Sequence, residues 1–320
     1  MKNNINITIG DHMKGIFLAV TIAVLGISLS YGAFSSSDAG TSAAQFLKLG
    51  AGARAAGMGE ALGAAADDST SIYWNPAGLN KVSARSLSVM HAVWFEDITY
   101  DWVSYAMAYK DWGVFGAGVQ YLSYGSIKKM DDTGLETGDF SPSDLCVSLS
   151  YARKVAGIDL GVNAKYVSLK IINSAAAYAV DLGAQYRVMN VFDDKLTLGL
   201  VVQNIGTKIK FTTEEDPLPM NVKLGGAYQI KPNWIAALDI NAPVDNELVY
   251  NAGTEYQHKI SGRVSAAGRV GYSTVSQNTG GLNGLSAGAG LTYLGYSIDY
   301  AFVPYGDLGN TQRISFSMKF

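Results

Sequence analysis

The chain has 320 residues, of which 48% are hydrophobic and 16% charged, with 36 Gly, 7 Pro and a net charge of −3. Gly without a G-X-Y period excludes collagen, the apolar content excludes a disordered chain, and dispersed Lys and Arg under a negative total leave no electrostatic case for nucleic acid. A single cysteine, Cys146, excludes an internal disulfide framework and a cysteine-based zinc cluster, and 19 Tyr against 11 Phe suit strands at wet–dry boundaries.

Residues 1–33 read as a secretory signal peptide. Lys14 precedes an apolar run from Ile16 to Leu29, and small residues Ser30 and Gly32 place cleavage after Gly32 or Ser35. Met13 is an alternative start that gives a more usual signal length. The run is too short for a comfortable transmembrane anchor, and no Cys near the cleavage site marks a lipoprotein. No second apolar run of helix-spanning length occurs, which excludes a helical inner-membrane protein.

Residues 34–82 are rich in Ala and Gly and nearly free of β-branched side chains. Ser35 to Thr41 reads as a flexible leader and Ala43 to Leu49 as a short helix. Gly50 to Gly59 has the glycine density of a phosphate loop. It lacks the Rossmann glycine at Ala55 and the P-loop lysine at Met58, and it does not join a strand to a helix. Small residues that let the segment pack closely inside a barrel are the better reading.

From residue 83 to 320 the hydrophobic period is two. Val180, Leu182, Ala184, Tyr186 and Val188 alternate with Asp181, Gly183, Gln185 and Arg187. Tyr296, Ile298, Tyr300 and Phe302 alternate with Ser297, Asp299 and Ala301. About fourteen such segments are expected: 85–95, 99–110, 112–123, 143–153, 157–169, 177–188, 195–205, 220–231, 233–241, 248–258, 262–272, 285–293, 295–303 and 311–320. Their length suits tilted membrane strands rather than the shorter strands of soluble sheets. Tight connections at 110–112, 154–156, 231–232 and 294 alternate with long ones at 124–142, 206–219 and 273–284, the parity of periplasmic turns and external loops. The fold class is therefore all-β: a 14-stranded antiparallel transmembrane barrel in the bacterial outer membrane, with an N-terminal luminal plug. Its surroundings are outer-membrane lipid and lipopolysaccharide. Trp94, Phe95, Tyr100 and Trp102 are expected at the outer rim, and Trp112, Tyr151, Tyr186, Trp234 and Tyr296 at the inner one. Gly113, Gly116 and Gly118 permit a kink in the third strand. Ile314, Phe316, Met318 and Phe320 end the chain on the lipid-facing register; Phe320 resembles the terminal aromatic read by the barrel-assembly machinery.

The stretch Asp67-Asp68-Ser69-Thr70-Ser71-Ile72-Tyr73-Trp74-Asn75-Pro76-Ala77-Gly78-Leu79 resembles the hatch motif of the FadL superfamily. The preceding run from Ala39 through Arg54 to Gly59 is similar to the PorV/PorQ branch. The resemblance implies a fourteen-stranded barrel with its N-terminal segment folded into the lumen. In that branch it implies service to type IX secretion, in which cargo carrying a C-terminal sorting domain is bound and passed on for surface attachment. The alternative it carries is a FadL-like transporter of hydrophobic small molecules. Physically, Pro76 fixes a turn, Asn75 can bond nearby backbone, and Arg54 can pair with Asp67 or Asp68 in the lumen. Arg54, Asp67, Asp68, Trp74, Asn75, Pro76 and Ala77 are thus the candidate hatch residues, shaping the plug ahead of touching a ligand.

Catalytic chemistry is not expected, and neither is a cofactor or bound metal. His91 lies toward the outer end and His258 at the inner end, so the two cannot cooperate; Asp97 and Asp101 near His91 carry the little hydrolase potential there is. Asp131-Asp132 and Glu214-Glu215-Asp216 read as solvated loop charge. Lys165, Asp181, Arg187, Lys223, Asp239, Glu255 and Asp299 fall on the luminal register, and their mixed signs predict internal pairing rather than a greasy path.

Overall fold

The computed structural model describes residues 40–320 except 97, 191 and 277–283. The signal peptide, most of the leader and Asp97 therefore lie outside the described residues. No helix among those described is long and apolar enough to cross a membrane.

In chain order the strands are β1 (Arg85–Val93), β2 (Thr99–Tyr109), β3 (Gly113–Ser123), β4 (Ile127–Met130), β5 (Glu136–Phe140), β6 (Ser143–Val155), β7 (Ile158–Lys170), β8 (Ser174–Arg187), β9 (Leu196–Gly206), β10 (Ile209–Lys210), β11 (Glu215–Asp216), β12 (Asn221–Lys231), β13 (Trp234–Pro243), β14 (Val249–Lys259), β15 (Val264–Ser273), β16 (Leu285–Tyr293), β17 (Tyr296–Pro304) and β18 (Asn310–Lys319). Fourteen of them close into one antiparallel barrel, in which each pairs with its neighbours and β18 returns to β1. The remaining four form two small hairpins, β4–β5 and β10–β11, within the long connections at 124–142 and 207–220. The barrel strands coincide with the fourteen expected segments to within a few residues. Period-two alternation is enforced here because one face meets lipid and the other the plug.

The seam runs from Ser86↔Lys319 to Val93↔Gln312 and leaves no sheet edge. Short turns, the start of β1 and the chain end share one mouth, which is the periplasmic one. The parity of loop lengths is incomplete: the outer connection at 171–173 is tight because β8 begins at Ser174.

Several placements differ from expectation. Tyr100 and Trp102 are not in the outer girdle; both are buried inside the barrel. On β2 the outward register belongs to Asp101, Val103 and Tyr105, so the two large rings pack on the plug, Trp102 edge-on to Tyr73 at 6.0 Å. Trp94 and Phe95 pack with Tyr305 in an outer aromatic cluster. The inner rim is as expected: Trp112 is exposed, Trp234 stands edge-on to Tyr256, and Tyr296 stacks on Phe316. The kink that the β3 glycines permit is not used, for β3 pairs without a register break with both neighbours. Its Gly116 and Gly118 make room for Ile72 of the plug instead. The wall's register breaks between β8 and β9, where Gln203 and Asn204 bulge opposite Asp181, and again at the inner end of β12 between Gln229 and Lys231. Arg187, at the inner end of β8, is exposed, whereas the other six charged residues expected in the lumen are buried.

Candidate functional site

Residues 40–82 run through the lumen from the outer mouth to the start of β1. Only short helical pieces form there, α1 (Ala53–Gly57) and α2 (Ser71–Trp74), with 3-10 turns at Gln45–Lys48 and Pro76–Lys81. A mostly irregular backbone buried in a barrel must find hydrogen-bond partners outside itself, and the wall supplies them. Ser315 Oγ accepts from the Ala53 amide at 2.7 Å, Ser286 Oγ from Gly59 at 3.1 Å, and Asp239 Oδ2 from Gly63 at 2.7 Å. In the other direction, Gln120 donates to the Phe46 carbonyl at 2.6 Å, Gln203 to that of Tyr73 at 2.8 Å, and Tyr100 to that of Leu49 at 3.0 Å.

Close approach replaces side-chain packing where the plug meets the wall. A Cβ on Gly271 would fall on the backbone of Met58 and Gly59, and one on Gly161 on the Pro76–Ala77 peptide. The small residues of Gly50–Gly59 are thus half of a backbone-to-backbone contact, and the wall glycines are the other half.

The Asn-Pro-Ala motif is a corner. Asn75 Oδ1 accepts from the Ala77 amide at 3.1 Å, capping the 3-10 turn that Pro76 begins. Asn75 Nδ2 donates to the Gly63 carbonyl at 2.7 Å and to that of Ala184 in β8 at 3.1 Å, so one side chain ties the corner to plug and wall. Trp74 Nε1 donates to the Ala51 carbonyl at 2.8 Å, clasping the Gly50–Gly59 stretch to the Asn-Pro-Ala corner.

Arg54 is the electrostatic centre of the periplasmic half. Its Nη1 lies 2.6 Å from Asp67 and 3.7 Å from Asp68, and its Nε lies 2.9 Å from Glu255 of β14. Glu255 also takes Arg269 at 2.5 Å, and Arg269 reaches Asp299 at 2.7 Å. Burial would raise the Asp67 carboxyl, but the Arg54 charge, helped by Lys319, outweighs it and holds the group well below the usual carboxylate range. Arg54 to Asp67 and Asp68 was anticipated from the sequence. Glu60, Arg269 and Arg313 were not, although strand alternation puts both arginines on the inward face. Arg313, 1% exposed, donates to the Gly50 carbonyl and to Glu60, each at 3.0 Å.

At the outer end Asp245, in the β13–β14 loop, gathers Lys48 at 2.6 Å, Gln45 at 2.9 Å and the Ser42 hydroxyl. Burial raises this carboxyl, and those three donors more than reverse the effect.

Cavities lie along the plug, among them one of about 210 Å³ at its end beside Lys81, Val82 and Phe320 and two on either side of the Gly50–Gly59 stretch. A periplasmic one of about 220 Å³ is lined by Arg54, Asp67, Asp68, Arg269, Asp299 and Lys319 among serines and threonines. An outer one of about 100 Å³ lies between Tyr73, Trp74 and Lys223 and an array of asparagines. The Gly50–Gly59 stretch and its contacts lie between them.

Elsewhere, His91 Nδ1 sits 2.7 Å from Asp101 on the outer wall, and His258 is exposed at the other end of the barrel. Asp131 Oδ1 accepts from Thr133 and Leu135 and closes the turn of the β4–β5 hairpin. Among the described residues no group of three His, Cys, Asp or Glu is placed to hold a metal.

A closed fourteen-stranded barrel with lipid-facing apolar registers, rim aromatics and a luminal plug defines an integral outer-membrane β-barrel. Residues 34–254 match the family model described as Type IX secretion system protein PorV, and the chain belongs to the PorV family. A comparison with curated protein sequences finds no match. Among solved structures, the Pseudomonas putida toluene transporter TodX is similar, with a TM-score of 0.55 and 14% identity over 85% of this chain and 98% of that one. The Ralstonia pickettii toluene transporter TbuX gives 0.56 and 14% over 85% and 98%. A Pseudomonas aeruginosa FadL homologue gives 0.52 and 13% over 84% and 98%. At such identities the likeness is one of fold.

Proposed function

We propose that this barrel is a non-enzymatic component of type IX secretion that binds exported cargo bearing a C-terminal sorting domain at the cell surface. Membership of the PorV family carries the reading. The blocked lumen supports it, since a plug bonded to the wall along its length suits a docking platform better than a conduit. The β4–β5 hairpin supports it too: it projects from the outer mouth with Met130 and Leu135 exposed beside Lys128, Asp132 and Glu136. The C-terminal Phe320 serves recognition by the barrel-assembly machinery, and Phe320 is half-exposed at the periplasmic rim, where Arg85 lies over its ring at 5.7 Å. The decisive experiment deletes the gene and follows sorting-domain proteins. They should accumulate in the periplasm or appear in the medium; unchanged surface attachment would overturn the proposal.

The second reading, transport of hydrophobic small molecules, draws on the fold shared with the toluene transporters. The periplasmic cavity is ringed by charges and hydroxyls, whereas the outer one is small and sets Leu47, Tyr73, Trp74, Pro219 and Val249 beside its amides. A specific uptake defect for an apolar solute on deletion, with cargo attachment intact, would favour that reading.

A further inference from the structure

The net charge of −3 conceals a sorting of charge along the barrel axis. Basic residues collect at the periplasmic rim. Arg85 begins β1, Lys110 turns β2 into β3, Arg153 lies near the end of β6, Lys231 ends β12, and Arg263 sits in the β14–β15 turn. In the closed ring these positions fall at intervals around the whole circumference. All five are exposed, and among the described residues none of their side chains makes an ion pair or a hydrogen bond. Acids at that rim are fewer and mostly engaged. Asp159 lies 3.5 Å from Lys154 and Asp193 3.0 Å from Lys195, and Asp194 accepts from the Asn190 amide at 2.6 Å, which leaves Asp111. The outer connections carry the opposite excess: Asp131, Asp132, Glu136 and Asp139 outnumber Lys128 and Lys129 in one, and Asp245 and Glu247 have no basic residue in theirs.

The five cations lie at headgroup depth, each beside an aromatic or aliphatic side chain of the rim. Arg85 lies over the Phe320 ring at 5.7 Å, and Lys110 stands between the exposed Tyr109 and Trp112. Arg153 shares the outward register of β6 with Tyr151, Lys231 pairs with Trp234, and the Arg263 carbonyl accepts from the Leu294 amide at 3.1 Å. Rim aromatics mark the level where hydrocarbon gives way to headgroups, and the stems of Lys and Arg reach the charged layer from there. An acidic protein partner calls for one contiguous basic patch. A ring of single cations set among rim aromatics fits a leaflet.

We propose that the periplasmic rim is an annular binding surface for anionic phospholipid of the inner leaflet, with a phosphodiester headgroup that carries no ammonium. A headgroup with its own ammonium, such as phosphatidylethanolamine, brings the rim no net charge, whereas phosphatidylglycerol brings one negative charge per molecule. Arg85 and Arg153 present forked donors to a pair of phosphate oxygens, and Lys110 and Lys231 act as point charges. Each basic residue at such a surface favours the charged lipid about fivefold. The acidic outer connections make the preference one-sided. The proposal stands on the barrel and its orientation and does not depend on a role in secretion.

The test reconstitutes the full-length barrel in phosphatidylcholine bilayers with a fluorophore at one rim. Gly262→Cys, an open position beside Arg263, carries the label at the periplasmic rim, and Ile172→Cys, exposed in the 171–173 turn, carries it at the outer one. Cys146 is buried and stays unlabelled. The quenchers are phosphatidylglycerol and phosphatidylcholine, each with a nitroxide high on one acyl chain. At Gly262→Cys, phosphatidylglycerol should associate at least about fivefold more strongly than phosphatidylcholine, and added salt should shrink that ratio. At Ile172→Cys it should show no advantage. Lys110→Gln, Arg153→Gln, Lys231→Gln and Arg263→Gln combined should bring the periplasmic ratio close to one, in a barrel whose folded electrophoretic form is unchanged. If that variant does not insert, Arg263→Gln alone should lower the ratio severalfold at the neighbouring label. Equal association of the two lipids at Gly262→Cys, or a preference that survives neutralisation of the rim, overturns the proposal and leaves the basic ring to an acidic periplasmic protein.

Discussion

At the residue scale, contacts between wall glycines and plug backbone leave no room for a methyl group. Gly271→Val sets a branched side chain against Met58 and Gly59. We expect a loss of at least about 3 kcal/mol, the upper end for overpacking, because backbone rather than a flexible side chain has to yield. Urea unfolding followed by tryptophan fluorescence would measure it. The carboxylates that fasten the plug give a pH dependence. Asp245 and Asp67 both titrate below their ordinary values when folded. Their stabilisation is complete above about pH 4, the unfolded value, and is lost as pH falls through the folded values. Hydrogen exchange of residues 42–60 should therefore be flat from pH 7 to about pH 4, after correction for intrinsic rates, and should accelerate below it. Asp245→Asn should bring that acceleration at the outer end to neutral pH.

At the scale of elements, alternation made the fourteen strands readable because a strand between lipid and a filled lumen has little freedom to vary its pattern. Which aromatic faces which side was less readable. Tyr100 and Trp102 are rim-like residue types near a strand end, and only the pairing of β2 with β1 and β3 puts them inside. The Arg54 pairing with Asp67 and Asp68 was legible as opposite charges close in sequence; Glu255 and Arg269 complete the cluster from strands some two hundred residues away. The β8–β9 bulge left no signal in periodicity. Asn204 takes a left-handed backbone there, with φ 60°, donates to the Pro219 carbonyl at 2.9 Å and accepts from Lys165 at 2.9 Å. Asn204→Ala should cost about 2 kcal/mol, combining backbone strain with the lost bonds. Asn204→Gly relieves the strain and should cost less, and comparing the two in urea unfolding separates the terms.

For the whole molecule, the two cavities lie on opposite sides of the Gly50–Gly59 stretch, and that stretch is bonded to β16, β18 and the plug's own Trp74. A planar bilayer should record almost no conductance through the purified barrel. A variant lacking residues 40–80, if it inserts, should conduct like an open pore. Steady porin-like current through the intact chain would contradict the occlusion described above.

The closing strand carries some of the plug's strongest attachments. Arg313 and Ser315 lie on β18, the last strand made, directly beside the seam with β1, and they bond Gly50, Glu60 and Ala53. A barrel without the plug would leave these side chains to water, while the plugged barrel gives them three bonds to the N-terminal segment. The seam and the plug are therefore fastened by the same strand, so loosening that strand's inner face should free the plug without opening the ring. Arg313→Met should loosen the plug, seen as folded, membrane-inserted protein whose residues 40–60 are open to protease.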